Sequence, residues 1–245
     1  MTRLGRTVAS ARAGWKGFVR RRTAVFFTFF FPAILIVIFG ALVGSQAGGL
    51  FSEDPVYYVP GYLAVVVLFT PLSRVSSAVA RHREGNRFEK LATTPLAPAE
   101  WLAAETLVNA GLVGAASALV LALLALLTGA EIALSVALLP AVGLGIVLFC
   151  GIGALLGSIA DSQDGAIAAS NGIGLPLIFL SETFVPPDIL PAWFRPLVAL
   201  SPLTYFARAT RSALTGGSPG VSMAVLAVLA VAAFVLGTYA LPWRD

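Results

Sequence analysis

The sequence predicts an all-α integral membrane protein with six transmembrane helices, an N-terminal amphipathic interfacial helix and a re-entrant helical segment between helices five and six. Of the 245 residues, 58% are hydrophobic and 11% are charged, and the mean hydropathy of +0.90 excludes an ordinary soluble surface. Long apolar runs alternate with short polar segments, as in chains that cross a bilayer repeatedly. The basic residues gather near the N-terminus and in one central segment, which is typical of membrane orientation signals.

Residues 1–22 carry seven basic residues and no acidic residue. At about 100° per residue, an apolar stripe faces a basic one. The apolar stripe holds Leu4, Val8, Ala11, Trp15 and Phe18, and the basic stripe holds Arg6, Arg12, Lys16 and Arg20. This pattern predicts a helix that lies in the membrane interface. A cleaved signal peptide is the alternative, but the apolar run that follows is too long for one and ends in no recognisable cleavage site.

Six apolar runs follow, and they predict six spans of a hydrocarbon core that is about 30 Å thick. The spans are residues 24–43, 56–80, 106–130, 132–160, 165–181 and 221–241. Arg74, near the inner end of span two, is expected to snorkel or to face a polar interior. Small residues in span four predict close helix packing, with a backbone-lined pathway as the alternative. These residues are Gly143, Gly145, Gly151, Gly153 and Gly157.

A polar segment over residues 81–105 separates spans two and three, and it holds four of the sixteen Lys and Arg and four of the twelve Asp and Glu. Its apolar and charged residues alternate at helical spacing, which predicts a short amphipathic helix. The apolar face holds Phe88, Leu91 and Ala92, and the charged face holds Arg87, Glu89 and Lys90. Such a helix rests on lipid or docks on a protein partner, and a solvated linker is the third interpretation.

The stretch 184–206 is apolar and aromatic, but its five prolines exclude one straight span. Short re-entrant or interfacial helices fit better, with Trp193, Phe194, Tyr205 and Phe206 at headgroup level. Seven Lys and Arg precede span one, four lie between residues 81 and 90, and the other loops among the first five spans have none. Both termini and the central segment are therefore predicted to be cytoplasmic, in a plasma membrane, and residues 184–212 extracellular.

Catalytic chemistry has little support in the sequence. The single histidine, His82, has no second histidine for a metal site, and the single cysteine, Cys150, cannot form an intramolecular disulfide. The chain has no GxxxxGK[ST] motif and no series of carboxylates within its spans, so energy for any transport must come from another protein. The charge of +4 is assigned to membrane orientation and not to nucleic acid. A membrane-embedded enzyme and a membrane anchor for a soluble partner remain alternatives.

Three stretches carry a resemblance to a known family. They are the basic N-terminal helix, residues 84–96 (EGNRFEKLATTPL), and residues 190–211. The last is the most specific, because a proline and a tryptophan precede Pro-Leu-Thr-Tyr, and an arginine follows six residues later. Over nearly its whole length the chain resembles the permease subunits of ABC-2 type exporters. It departs from them after Ser181, where Glu182 replaces the usual glycine, so an outer gate here is not purely apolar.

The resemblance implies a six-span permease that exports a lipophilic compound, drug-like or a lipid-linked glycan. The permease has no catalytic residues of its own. It pairs with a second permease copy and binds separate ABC ATPase subunits, which hold ATP and Mg. Residues 81–100 become the coupling segment, with Phe88 and Leu91 as an apolar knob for the ATPase and Arg87, Glu89 and Lys90 at its rim. Spans two and five line the pathway, and the candidate pathway or outer-gate residues are Asn171, Ser181, Glu182 and Phe184.

Overall fold

The computed structural model describes residues 2–44, 55–128, 135–184, 190–218 and 220–243. Within these ranges every regular element is a helix. The helices are α1 (Arg3–Val19), α2 (Arg22–Gly44), α3 (Pro55–Glu84), α4 (Arg87–Ala92), α5 (Pro98–Thr128), α6 (Leu138–Ile159), α7 (Gln163–Phe179), α8 (Arg195–Leu200), α9 (Pro202–Leu214) and α10 (Gly220–Ala240).

Four helices in the described part of the chain are long and apolar enough to cross a membrane. They cover Val56–Glu84, Pro98–Leu127, Leu138–Ile159 and Gly220–Ala240. They confirm an all-helical chain of membrane type and match predicted spans two, three, four and six. α2 and α7 cover predicted spans one and five, so the count of six stays a prediction. The loops predicted near residues 45–54 and at residue 131 lie outside the described residues.

Helix α5 begins well before the predicted span three. The expected start was Thr106, but the helix starts at Pro98, and Glu100 and Glu105 lie within it. Proline suits the first helical position because it lacks the N–H that would have no partner there. The Glu100 carboxylate accepts a hydrogen bond from the backbone N–H of Ala97 at 3.1 Å. Both glutamates are also paired with arginines, so their charges do not end the helix.

Helix α3 lies at the centre of the fold and packs against α5, α6, α7 and α9, while α6 packs closely on α10. The glycines of α6 permit this packing. A Cβ added to Gly151 would lie 2.3 Å from the backbone carbonyl carbon of Ala233, and one on Gly157 would lie 2.4 Å from the backbone oxygen of Ser76. Neither position has room for a side chain. The close packing predicted for span four is therefore confirmed at four of its five glycines, while Gly143 has no neighbouring atom within 4 Å.

Helix α1 packs along α5, although only part of its predicted apolar stripe contacts the protein. Phe18 is buried against Val108 and Leu112, while Leu4 at the other end is exposed. Arg6, expected on the basic stripe, forms an ion pair with Glu100 at 2.6 Å. This side-chain hydrogen bond raises the pKa of Arg6 above its usual value. The basic helix is thus fastened to α5 by a charged pair as well as by apolar contacts.

The proline-rich region forms two short helices, α8 and α9, in place of one span. Pro196 and Pro202 lie in the first turns of these helices, where a proline is tolerated. Helix α9 buries one face, including Leu203, Phe206 and Ala207, against the core. The break expected from the prolines is confirmed, whereas insertion of this region into a membrane stays a prediction.

Candidate functional site

A cleft of about 1560 Å³ opens between α3 and α7 and is completed by residues of α1, α2, α4 and α5. Helix α3 lines it with residues three or four apart, which places them on one helix face. This face changes from apolar to polar to cationic along the helix. In order, its residues are Val65, Val66, Phe69, Thr70, Ser73, Arg74, Ser77 and Arg81.

Helix α7 forms the opposite wall of the cleft. Gln163, Ile167, Asn171 and Leu175 follow one another at intervals of four residues and all line the cavity. Asn171, a predicted pathway residue, is exposed on this wall. The walls formed by α3 and α7 therefore present side chains that can contact a molecule with both apolar and polar parts.

Arg74 and Glu105 lie at the boundary between the cleft and the core. An Nη of Arg74 pairs with the Glu105 carboxylate, and its Nε donates to Oδ1 of Asn109 at 3.0 Å. The Asn109 amide in turn donates to the backbone oxygen of Glu105 at 2.9 Å and to Sγ of Cys150 at 3.4 Å. Of the two expectations for Arg74, the polar interior is the correct one, because a charge inside a helix bundle needs a partner.

Of the apolar face of α4, Phe88 is buried within this chain, whereas Ala92 is exposed. Phe88 is 2% exposed, and its ring centroid lies 5.3 Å from those of His82 and Trp101 and 5.4 Å from that of Trp243. We call these four residues the aromatic cluster. The expectation that Phe88 projects outward as a knob is wrong, because the amphipathic helix buries its ring against its own chain.

The outer face of α4 is charged and accessible. Arg87, Glu89 and Lys90 are exposed, Leu91 is half-buried, and both Arg87 and Leu91 also line the cleft. Asn86, just before the helix, adopts a left-handed conformation with φ of 49°, which turns the chain sharply out of α3. Of the five predicted coupling residues, three are therefore available to a partner. Phe88 holds the helix in place.

Two further contacts brace the end of α3 next to α4. Arg83 donates to the backbone oxygens of Ser158, at 2.5 Å, and of Ala160 at the end of α6. Glu84 accepts a hydrogen bond from the backbone N–H of Gln163, the first residue of α7, at 2.8 Å. These bonds join the end of α3 that precedes α4 to the end of α6 and to the start of α7, the helix that forms the opposite wall of the cleft.

Glu182 lies at the opposite end of the fold, near the start of α3. Its side chain is buried, and its carboxylate accepts two hydrogen bonds from Arg208, at 2.8 and 2.5 Å. This bond raises the pKa of Arg208. Arg211 donates to the backbone oxygen of Glu182 at 2.8 Å and lies 4.2 Å from the ring centroid of Tyr57, and burial lowers its pKa. Arg208 therefore neutralises the carboxylate that was predicted at an outer gate, and Arg211 is held by the backbone oxygen beside it.

Ser181 and Phe184 lie beside Glu182, whereas Asn171 does not. The Ser181 hydroxyl donates to the backbone oxygen of Ile178 at 2.7 Å, and the Phe184 ring packs edge-on against Tyr62 at 5.8 Å. Asn171 precedes the end of α7 by about 12 Å of helix and lines the cleft. The four candidate gate residues thus form two separate groups, one at the helix ends and one in the cleft wall.

A family model described as "ABC-2 type transporter" matches residues 6–215. The chain belongs to the ABC-2 type transporter family. A similar protein is the "Daunorubicin resistance ABC transporter permease protein DrrB1" of Streptomyces coeruleorubidus, which is 27% identical over 190 residues. The match covers 76% of this chain and 66% of the relative, so the chain spans just under two thirds of that protein's length.

Family membership and the apolar helices together identify this ABC-2 permease as a multi-pass membrane protein. In the part of the chain that the structure describes, no group of three or more His, Cys, Asp or Glu side chains is arranged to hold a metal ion. The features that can act on a ligand or a partner are therefore the cleft, the charged face of α4 and the ion pair of Glu182.

Sequence reasoning missed the partners of the residues it selected. His82, Trp101 and Trp243 enclose Phe88, while Arg208 pairs with the Glu182 carboxylate and Arg211 donates to the backbone oxygen of Glu182. One signal was available in this ABC-2 permease. Arg208 and Arg211 are three apart on one helical face, and a buried carboxylate requires such a partner.

Proposed function

We propose that this ABC-2 permease forms the membrane pathway of an ATP-driven exporter for a lipophilic compound, either drug-like or a lipid-linked glycan. Two permease copies of six spans each form a dimer in the plasma membrane, with both termini in the cytoplasm. Separate ABC ATPase subunits bind ATP and Mg²⁺ and dock on the outer face of α4. The family match and the name of the relative, a daunorubicin resistance permease, support this proposal.

The attachment of α4 to the walls of the cleft carries the proposal. The aromatic cluster ties α4 to α3, α5 and the C-terminal segment, and Arg83 and Glu84 tie the end of α3 to α6 and α7. A force applied to the exposed charges of α4 therefore reaches both walls of the cleft. A loosely attached linker could not transmit it.

The size and lining of the cleft support a lipophilic cargo. Its volume of about 1560 Å³ exceeds the range of about 300–1,000 Å³ that is usual for drug-sized ligands. Phe69, Ile167 and Leu175 offer apolar surface, and Asn171 and Thr70 offer polar contacts. A second permease copy would cover the open side.

The test is ATP-dependent transport in vesicles that contain the permease and a co-expressed ABC ATPase. We expect the ATPase to co-purify with the permease and lipophilic dyes to be transported only when both are present. Lys90→Glu should reduce co-purification several-fold, because charges at the rim of an interface guide docking. Lys16→Glu is the matched control, since Lys16 is an exposed lysine on α1 and should leave co-purification unchanged.

Equal co-purification of the Lys90→Glu and Lys16→Glu variants would refute docking on α4. A permease that binds the ATPase but never supports transport would instead indicate a membrane anchor. Transport by the permease alone would contradict the requirement for an ATPase.

A further inference from the structure

The cleft has a marked charge imbalance at the end where α1, α3 and α4 meet. Its lining includes six arginines and one carboxylate, that of Glu105. That carboxylate is already paired with Arg74. The six arginines are Arg20, Arg21, Arg22, Arg74, Arg81 and Arg87. The lining therefore carries a large excess of positive charge inside a concave site.

Three of these arginines come from separate parts of the chain and line the same cleft. Arg21 lies between α1 and α2, Arg81 near the end of α3, and Arg87 at the start of α4. The charges near Arg81 are those of Arg21, Arg74 and Arg87, together with the opposite charge of Glu105, which is itself paired with Arg74. Among the described residues the ion pairs within 4 Å belong to Arg6, Arg74 and Arg208, so these three guanidinium groups have no carboxylate partner there. Such a cluster of like charges favours binding of an anion.

The rest of the cleft is suited to an apolar tail. From Val65 to Arg81 the lining face of α3 extends for about 24 Å, given a rise of 1.5 Å per residue. Its far part is formed by Val65, Val66 and Phe69. Leu175 and Ile167 of α7 lie across the same cavity. A ligand that spans the cleft therefore meets cations at one end and apolar side chains at the other.

We propose that the cleft binds an amphiphile whose polar end carries a phosphate group. The guanidinium groups of Arg21, Arg81 and Arg87 bind the phosphate, and the apolar chain lies between α3 and α7. Arginine suits this role because its planar fork of donors matches phosphate oxygens. The inference rests on the proposed function for the role of the cleft, and it names the class of molecule that enters there.

A simpler explanation of the arginines is that they only orient the chain in the membrane. Residues with that role need no common cavity, as Arg12 and Lys16 illustrate, since both are exposed on α1 and neither lines the cleft. The two explanations differ in whether the position of a charge matters or only the number of charges.

The experiment measures retention of radiolabelled phosphatidic acid by the full-length permease in phosphatidylcholine nanodiscs. The test variant is Arg81→Gln with Arg87→Gln, and the control is Arg12→Gln with Lys16→Gln, which removes the same charge elsewhere. We expect the control to bind like the parent and the test variant to bind at least about tenfold more weakly. Equal loss in both variants, or no loss in the test variant, would overturn the proposal.

Two further arms identify the ligand and allow for a variant that fails to fold. Inorganic phosphate should compete with phosphatidic acid only at far higher concentrations. Competition at equal concentrations would show that the acyl chains contribute nothing to binding, and would contradict the proposal that the ligand is an amphiphile. Asn171→Trp fills the cleft from the α7 wall without changing any charge, and it should reduce retention several-fold. Unchanged retention in that variant would place the bound lipid elsewhere and refute the proposal.

These measurements need no ATPase, so they can fail independently of the proposed function. If phosphatidic acid retention refutes the phosphate site, ATPase co-purification and dye transport still test the proposed function separately. Absence of ATP-dependent transport would leave phosphatidic acid retention unaffected.

Discussion

The ring centroids of Phe88 and Trp243 lie 5.4 Å apart, so the short helix α4 and the C-terminal segment of the chain share one aromatic cluster. These residues are far apart in the sequence, yet each is nearly inaccessible in the fold. The position of α4 therefore depends on the last part of the chain as well as on its neighbouring helices.

Replacement of Phe88 by alanine is expected to destabilise the permease. The ring is 2% exposed, and removal of a buried phenylalanine side chain typically costs about 3–5 kcal/mol. Thermal unfolding in detergent should show a clear fall in melting temperature. Phe179→Ala is the matched control, because Phe179 is 74% exposed, and its melting temperature should remain near that of the parent. Equal melting temperatures for the two variants would mean that Phe88 does not anchor α4.

Replacement of Trp243 by alanine should loosen α4 without altering its exposed charges. Trp243 is 9% exposed, whereas Trp193 is 72% exposed, so Trp193→Ala provides a control of the same chemistry. We expect Trp243→Ala to increase proteolysis between residues 84 and 98 and to reduce ATPase co-purification. If protection of that segment is identical in both variants, the C-terminal segment does not support the coupling helix.

The ion pair between Glu182 and Arg208 should stabilise the fold through both partners together. Glu182 is 5% exposed, but the Arg208 side chain is 42% exposed. Solvent screening therefore limits the expected interaction energy between the two side chains to about 1–2 kcal/mol. In a double-mutant cycle, Glu182→Gln and Arg208→Gln should each destabilise, and the double variant should lose less than the sum. Strict additivity would show that the pair contributes nothing.

The same variants test the outer-gate prediction. Because Glu182 is neutralised, Glu182→Gln leaves an unbalanced Arg208, and we expect transport of cationic dyes to fall more than that of neutral dyes. Unchanged transport of both dye classes would reduce Glu182 to a structural residue.

The proposed orientation predicts which side of the membrane each segment faces. Single cysteines at Arg12, Arg87 and Gly217, in a Cys150→Ala background, should react with an impermeant thiol reagent in sealed cells only at Gly217. All three positions are exposed in the fold, so access from one side decides the result. Labelling of Arg87→Cys from outside would contradict cytoplasmic placement of α4.

The apolar runs in the sequence were sufficient to predict most of the helices, because a long uncharged run has few alternatives to a helix in a membrane. The start of α5 was predicted too late in the sequence, because the charges of Glu100 and Glu105 suggested that these residues lie in a loop. Only the fold reveals that Arg6 and Arg74 neutralise them. Helix ends depend on such distant partners, which periodicity does not contain.

The sequence identified residues of the candidate site, but it did not show which way their side chains face. Helical spacing identified Phe88 and Leu91 as the residues of α4 that face inward, yet a pattern within six residues does not say whether its own chain or another protein covers that face. Trp243 covers part of it from the far end of the sequence. Similarly, Asn171 and Glu182 are near neighbours in sequence, but the end of α7 separates them into different environments.

The glycines of α6 limit how this permease can change shape. Where Gly151 meets Ala233 and Gly157 meets Ser76, backbone touches backbone, and no side chain is present whose rotation could absorb sliding. We therefore expect α3, α6 and α10 to move as one rigid body. Any widening of the cleft must then come from its opposite wall, so the proposed transport cycle would move α7 relative to a stationary frame.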